Sequence, residues 1–547
     1  MAVNIPALVS VIVFYIFILV VGIIAGRKSA RSSSSHEIYL ANRNIGMFVS
    51  FFTLTATMVG GGYINGTAEM MAMGGLAMTT APFGFTLSLF ISGLLYAPKM
   101  RRSNYVTMFD PFQIKYGRRV GGLLFFPQLC GDLFWTAAIL SALGTTVGII
   151  LDISDTVAII VSACVAVFYT FLGGLLSVAY TDVLQLVCIT VGLFLAFPFA
   201  MHHPSVDMSR VSSTWLGEID VSNLGSYIDV CVMVVFGGIP WQTYYQRVLA
   251  CKNAEGARLS SIMAAAFCMV LAIPPAMIGL IGAAADWNQT SYDGPIPLPE
   301  SKYNVILPMV LNYLCPLPVA VIGIGAVAAA VMSSADSCVL STGTVFAKNI
   351  YTDIFRRKAS DREQIWVLRI TILIVGVVGT ALAITAKSIY GLFVLCADLM
   401  YVILFPQLTC VLWFAPSNTY GCLVGYLVSL VFRILSGEVF LGIPVILKFP
   451  MYDETLGQRF PFRTTTMLIS FATITGVSLL TNCLFNRGIV PLKYDIFKCI
   501  EKETERRRQL QRGESILAKG CDDIVSIPHI NAAVEKRAPL VYLSDDL

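Results

Sequence analysis

Two apolar runs, far apart in this chain, are broken in the same way. One reads Thr55-Ala56-Thr57-Met58-Val59-Gly60-Gly61-Gly62-Tyr63, the other Val234-Val235-Phe236-Gly237-Gly238-Ile239-Pro240-Trp241. In hydrocarbon an unpaired backbone amide costs several kcal/mol, so glycine runs and a proline inside an apolar helix need a physical reason. A single glycine is explained by close helix packing. Three consecutive glycines, mirrored by Gly-Gly-Ile-Pro, are better explained by unwound backbone lining a watery site, where free carbonyls and half-helix ends hold ions and substrate. The pattern points to a transporter with a central site.

The rest of the chain agrees with a polytopic membrane protein. Of its 547 residues 56% are hydrophobic and 13% charged, against about 25% charged in soluble domains. The net charge of +4 is small. Its basic residues sit in short loops between apolar runs, which excludes a nucleic-acid partner. The fourteen cysteines fall mostly in apolar segments and read as small apolar residues rather than a disulfide framework. His36, His202, His203 and His529 read as loop or tail residues, so no histidine metal site is expected in the membrane. With no nucleophile–base pair either, the chain does not read as an enzyme.

A spanning helix needs about 20 apolar residues. Thirteen segments qualify: 6–26, 45–66, 74–97, 120–150, 155–173, 178–200, 226–247, 259–284, 304–332, 365–386, 390–413, 421–436 and 463–486. Segment 6–26 lacks a basic start and a small-residue cleavage site, so it reads as a span, not a signal. The loops rich in Lys and Arg (27–44, 98–119, the stretch with Lys252 and Arg258, and 348–364) fall on one side if the spans alternate. By the positive-inside rule that side is cytoplasmic. The N-terminus is then outside and the tail from 487 inside. Asn288-Gln289-Thr290 falls in an outside loop as a glycosylation acceptor, whereas Asn65-Gly66-Thr67 hugs a membrane helix and is not expected to be modified. In the tail, Glu501–Arg512 is expected to be helical, and Glu514-Ser515-Ile516-Leu517 only faintly matches a leucine-based sorting signal.

The breaks open the second and seventh spans. Spans two to six and seven to eleven then form two groups of five, and because five is odd the second group enters from the opposite side. That is a five-plus-five inverted repeat behind an extra N-terminal helix, with its site at the midplane. The expected segments are 1–44 (outside N-terminus, first span and cytoplasmic loop), 45–200 (first repeat), 201–225 (outside loop), 226–413 (second repeat), 414–486 (two further spans) and 487–547 (cytoplasmic tail).

Acidic residues inside apolar spans are functional candidates: Asp132, Asp182, Asp229, Asp336 and Asp398. In Ala330-Val331-Met332-Ser333-Ser334-Ala335-Asp336-Ser337, Ser333, Asp336 and Ser337 are spaced to face one point. A lone serine is explained by back-bonding to its own helix, but four oxygen-bearing side chains in five residues suit a hard cation such as sodium. This stretch, followed by Ser341-Thr342-Gly343-Thr344-Val345-Phe346, together with Val178-Ala179-Tyr180-Thr181-Asp182-Val183-Leu184-Gln185, resembles the sodium/solute symporter family. The resemblance implies a leucine-transporter-type all-α fold. It also implies one sodium site at Ala56, Val59, Ala330, Ser333 and Ser334, and a second at Asp182, Ser333, Asp336 and Ser337. Several relatives carry a hydroxyl at the position of Asp336.

The expected substrate face is aromatic: Trp135, three residues after Asp132, and Trp241, beside the second break, with Phe85, Tyr63, Tyr244 and Tyr401 at depths that reach the same cavity. Aromatic residues in membrane helices commonly pack or anchor. Several around one desolvated cation recognise quaternary ammonium groups, at about 2 kcal/mol or more each. The strings Val59–Glu69, Tyr105–Gln113, Gly237–Gln242 and Asp286–Thr290 resemble the choline-carrying members of that family, over nearly the whole chain to about residue 490. The resemblance implies sodium-driven, chloride-dependent import of choline, or a similar organic cation, across the plasma membrane for acetylcholine synthesis, at synaptic terminals and vesicles. The choline carriers have tryptophan at the position of Met58 and tyrosine at that of Phe85. The expected substrate residues are Met58, Phe85, Trp135, Trp241, Asp132 and Tyr63. A sodium symporter for another organic solute, and a choline-binding sensor or uncoupled channel, remain as other readings. The oligomeric state is left open.

Overall fold

The computed structural model describes residues 35–500 except 152, 173, 386–387, 439–440 and 455–456, with scattered positions between 9 and 24. The expected span 6–26 is described only at those positions, and the tail helix and sorting motif expected beyond 500 lie outside the described residues. Among the described residues there is no β-strand.

The longer α-helices are α1 Met47–Met58, α2 Gly61–Met78, α3 Thr80–Ile91, α4 Phe125–Leu151, α5 Asp155–Leu172, α6 Leu175–Met201, α7 Leu224–Gly237, α8 Gln242–Ala250, α9 Ala254–Leu271, α10 Ile273–Ala284, α11 Ile306–Leu314, α12 Leu317–Val345, α13 Asp361–Thr385, α14 Ile389–Leu399, α15 Phe405–Trp413, α16 Thr419–Leu435 and α17 Phe462–Asn486. Nine of the described helices are long and apolar enough to cross a membrane. The bent pair α1–α2, at 51°, makes ten, and Thr156–Phe168 and α16 are shorter apolar helices. The protein is thus a multi-pass helical membrane protein.

Both sequence breaks are real interruptions. Val59 and Gly60 leave the helical range between α1 and α2 (Val59 ψ 63°, Gly60 ψ −177°). Gly238 to Trp241 separate α7 from α8: Pro240 has no amide to donate, the chain turns across it with the Trp241 amide on the Ile239 carbonyl at 3.0 Å, and Trp241 is extended (φ −114°, ψ 118°). Around the breaks, α1 packs between α6 and α9, α12 lies between α6 and α4, and α14 lies along α4.

Several expected boundaries move. The segment 304–332 is two helices, α11 and α12, split at Cys315-Pro316, where the residue before proline is driven to extended backbone (Cys315 ψ 147°). The second runs on through a π-helical stretch, Phe346–Phe355, into the expected loop 348–364. The polar residues of 333–344 lower the local hydropathy, yet all of them are buried. The expected span 45–66 likewise continues to Met78, kinked at Gly75 (φ 71°). His36 sits in the short helix Ser35–Leu40 rather than in a loop.

By its contacts the chain divides into residues 1–479 and 480–547. In the second, the end of α17 and a 3₁₀ turn, Leu492–Tyr494, are described.

Candidate functional site

The first break meets α12. Ser333 Oγ donates to the Ala56 carbonyl at 2.8 Å and lies 2.9 Å from the Ala330 carbonyl. Ser334 Oγ donates to the Thr57 carbonyl at 2.8 Å. The Ala56 and Thr57 carbonyls belong to the last turn of α1, where the helix's own amides are absent and the dipole's negative end lies. Hydroxyl and carbonyl oxygens at such a half-helix terminus are the donor set a sodium ion takes. The close approach depends on glycine: a Cβ at Gly60 would lie 2.0 Å from Ser334 Oγ and 2.6 Å from its Cβ. Of the five expected ligands of this site, Ala56, Ala330 and Ser333 come together. Ser334 turns to Thr57, and Val59 forms the cap of α1.

The second expected set spreads over a larger buried cluster. Asp182 on α6 faces Arg247 on α8 at 3.8 Å, both side chains fully buried, and accepts from Thr53 Oγ1. Arg247 donates to Ser337, whose hydroxyl also meets Thr57 Oγ1 at 2.9 Å. Asp336 points to α5, accepting from Thr170 Oγ1 at 2.5 Å. With both carboxylates ionised against one guanidinium, the cluster would carry a net charge of −1. Asp182 Oδ1 and Asp336 Oδ2 are buried with no hydrogen-bond partner among the described residues. Uncompensated buried charge is expensive, and either a proton or a monovalent cation would relieve it. Ser333, on the α1 side of α12, belongs to the first group in this conformation.

The aromatic residues form one buried cluster. Phe85 stacks on Trp241 with centroids 6.2 Å apart, and Trp135 meets Trp241 edge-on at 5.2 Å. Tyr63 meets Phe85 edge-on at 6.0 Å, its hydroxyl donating to the Cys268 carbonyl. Phe393 on α14, which the sequence reading missed, closes the group, 5.4 Å from Phe85 and 5.9 Å from Trp135. Met58 is buried in the core at the end of α1, next to the Thr57 carbonyl that Ser334 holds. Tyr244 and Tyr401 lie elsewhere, bonded to Ser261 and Thr464.

Asp132 is not a free counter-ion. It accepts from Gln128 Nε2 at 2.7 Å, Trp241 Nε1 at 3.1 Å and Thr342 Oγ1 at 2.6 Å. Three donors saturate much of the carboxylate and fix the indole of Trp241. Asp229 and Asp398 are tied into a network with Arg433, Arg463 and Glu438. Arg247 also escaped the sequence reading, because an arginine at the end of an apolar run reads as a membrane-flanking charge.

The expected glycosylation site Asn288 is exposed in a 3₁₀ turn, next to Trp287, whose buried indole donates to the Gly282 carbonyl at 3.1 Å. Asn65 is 1% exposed inside α2, which keeps it from modification.

Comparison with known proteins follows the same lines. The chain is 51% identical over 502 residues to "High-affinity choline transporter 1" of Drosophila melanogaster, covering 91% of this chain and 82% of that protein. It is 46% identical over 536 residues to the high affinity choline transporter 1 of Homo sapiens, covering 95% and 92%. Among solved structures, a substrate-bound, outward-open Na+-coupled sialic acid symporter shares its fold, with a TM-score of 0.71 at 16% identity, covering 87% of this chain and 98% of that one. The model of the sodium:solute symporter family matches residues 38–429, and the chain belongs to that family.

Proposed function

We propose that the protein is a sodium-coupled, chloride-dependent symporter importing choline across the plasma membrane for acetylcholine synthesis, at synaptic terminals and vesicles. One observation carries this reading: the aromatic cluster and the carbonyl–hydroxyl group meet on the same break. On one side of the break a Cβ at Gly62 would lie 3.5 Å from Trp135, while on the other Ala56 and Thr57 face Ser333 and Ser334. The relatives' choline specificity supports the choice of cation. A trimethylammonium group suits the faces of Phe85, Trp135, Trp241 and Phe393, with Tyr63 and Met58 beside them and Asp132 holding Trp241 in place.

In this reading sodium binds Ala56, Val59, Ala330, Ser333 and Ser334, and a second ion binds between Asp182, Ser333, Asp336 and Ser337. Thirteen spanning helices place the N-terminus outside and the tail in the cytoplasm, with 45–200 and 226–413 as inverted repeats that rock about the site. Asn288 is glycosylated in the outside loop. Radiolabelled choline uptake in transfected cells tests this. Accumulation should require sodium and fall when chloride is replaced by gluconate; binding without sodium-dependent accumulation would leave a sensor or channel. Met58 and Phe85 favour one second reading, a sodium symporter for another organic cation, which competition by other amines would reveal.

A further inference from the structure

A polar stripe runs along α2 away from the aromatic cluster. Residues 62, 65, 66 and 69 share one helical face, at spacings of three and four. At its inner end, a Cβ at Gly62 would lie 3.5 Å from Trp135. At Gly66 it would lie 3.8 Å from Tyr390. At the far end, Glu69 accepts from Ser388 Oγ at 3.2 Å and from the Tyr390 amide, at the N-terminus of α14. Tyr390 in turn shares a hydrogen bond of 2.9 Å with Thr80 and stacks on Phe393 with centroids 5.9 Å apart. Phe393 belongs to the aromatic cluster, so the stripe and the start of α14 form two walls leading to it.

Two side chains on these walls are out of keeping with a structural role alone. Asn65 is 1% exposed, and neither atom of its amide has a hydrogen-bond partner among the described residues. Glu69 is 4% exposed, and its Oε2 is likewise unpartnered. A buried amide and a buried carboxylate oxygen left unsatisfied each cost their full desolvation. They lie one turn apart on the same face, with glycines that leave room beside them.

We propose that Asn65, Glu69, Ser388 and Tyr390 form an outer cation subsite that the substrate occupies before it reaches the aromatic cluster. This rests on the proposed function, which makes the substrate a quaternary ammonium and puts this end of α2 on the outside. The charge of Glu69 draws the ammonium group, which has no N–H to donate. The Asn65 amide takes the hydroxyl. The Thr80–Tyr390 bond and the Ser388–Glu69 bond close over the path once the cation has moved inward.

Glu69→Gln separates binding from helix capping, because the amide oxygen still accepts from Ser388 and Tyr390 while the charge is gone. In choline uptake matched for surface level, KM should rise about ten-fold, the scale of electrostatic substrate focusing, with kcat held. Glu69→Asp should lie between. A fall in surface level or kcat with KM unchanged would overturn the subsite and leave a cap. If Glu69→Gln fails to reach the surface, Glu69→Asp decides on the same criterion. Labelled tetramethylammonium binding to the purified full-length protein keeps this distinct from the substrate reading. Wild type that binds the cation at least about five-fold more tightly than Glu69→Gln supports the subsite even if choline is not transported; equal binding sinks it.

Discussion

At the scale of single residues, Met58 is the position where a substitution tells most. It sits on the turn that also offers its carbonyls to α12, and it contributes a thioether where the resemblance to the choline carriers implies an indole. A thioether contacts a methylammonium group more weakly than a π-face does. Met58→Trp should lower the choline KM by about one decade; an unchanged constant in uptake assays would remove Met58 from the site. Asp336 is the second such position. With both carboxylates ionised, Asp336→Asn takes the Asp182–Arg247–Asp336 cluster from −1 to neutral, so half-saturation by sodium should shift upward by about ten-fold. A sodium titration of uptake reads this directly. Arg247→Ala removes the one cation and leaves both carboxylates buried. It should cost about 3–5 kcal/mol, read as a lower melting temperature of the purified protein. Trp135, Trp241 and the acidic positions were legible in the sequence because each is rare inside an apolar run. Phe393 and Arg247 were not, because phenylalanine is common in such runs and terminal arginine has an ordinary explanation.

At the scale of the element, the glycines of the breaks work by proximity. Gly60 has extended backbone that any residue adopts, so its requirement is space against Ser334, not conformation. Gly60→Ala would push a methyl group onto the Ser334 Cβ, which rotation cannot move away. The last turn of α1 would part from α12, and sodium affinity should drop while protein at the surface persists. A sodium half-saturation equal to wild type would show that α1 and α12 need not touch. The breaks could be read from sequence because glycine and proline interrupt helices by local chemistry. The extent of α12 could not, because its polar residues depress hydropathy and only tertiary packing shows them to be buried. The five-residue charge network of Asp229, Asp398, Arg433, Glu438 and Arg463 was also unreadable as a unit, since it joins α7, α14, α16 and α17 from separate parts of the chain.

At the scale of the whole molecule, one short turn joins the two groups of ligands. Ala56 and Thr57 hold α12 through Ser333 and Ser334, and Gly62, just past the break, lies against Trp135. An ion that orders this turn fixes one wall of the aromatic cluster before the organic cation arrives, which lowers the ordering cost of the second event. Coupling of this kind is a free energy shared by both ligands, so it must be reciprocal. Sodium should therefore tighten choline binding to the purified protein, and choline should tighten sodium binding, by the same factor, within the usual range of about 5- to 150-fold. Isothermal titration of each ligand, with and without a saturating amount of the other, measures both factors. Ser333→Ala, which loses the contact to Ala56, should bring the two factors down together toward one. Unequal factors would mean the titrations are not at equilibrium. Equal factors untouched by Ser333→Ala would place the coupling outside this turn, in the second cation cluster around Asp182 and Asp336.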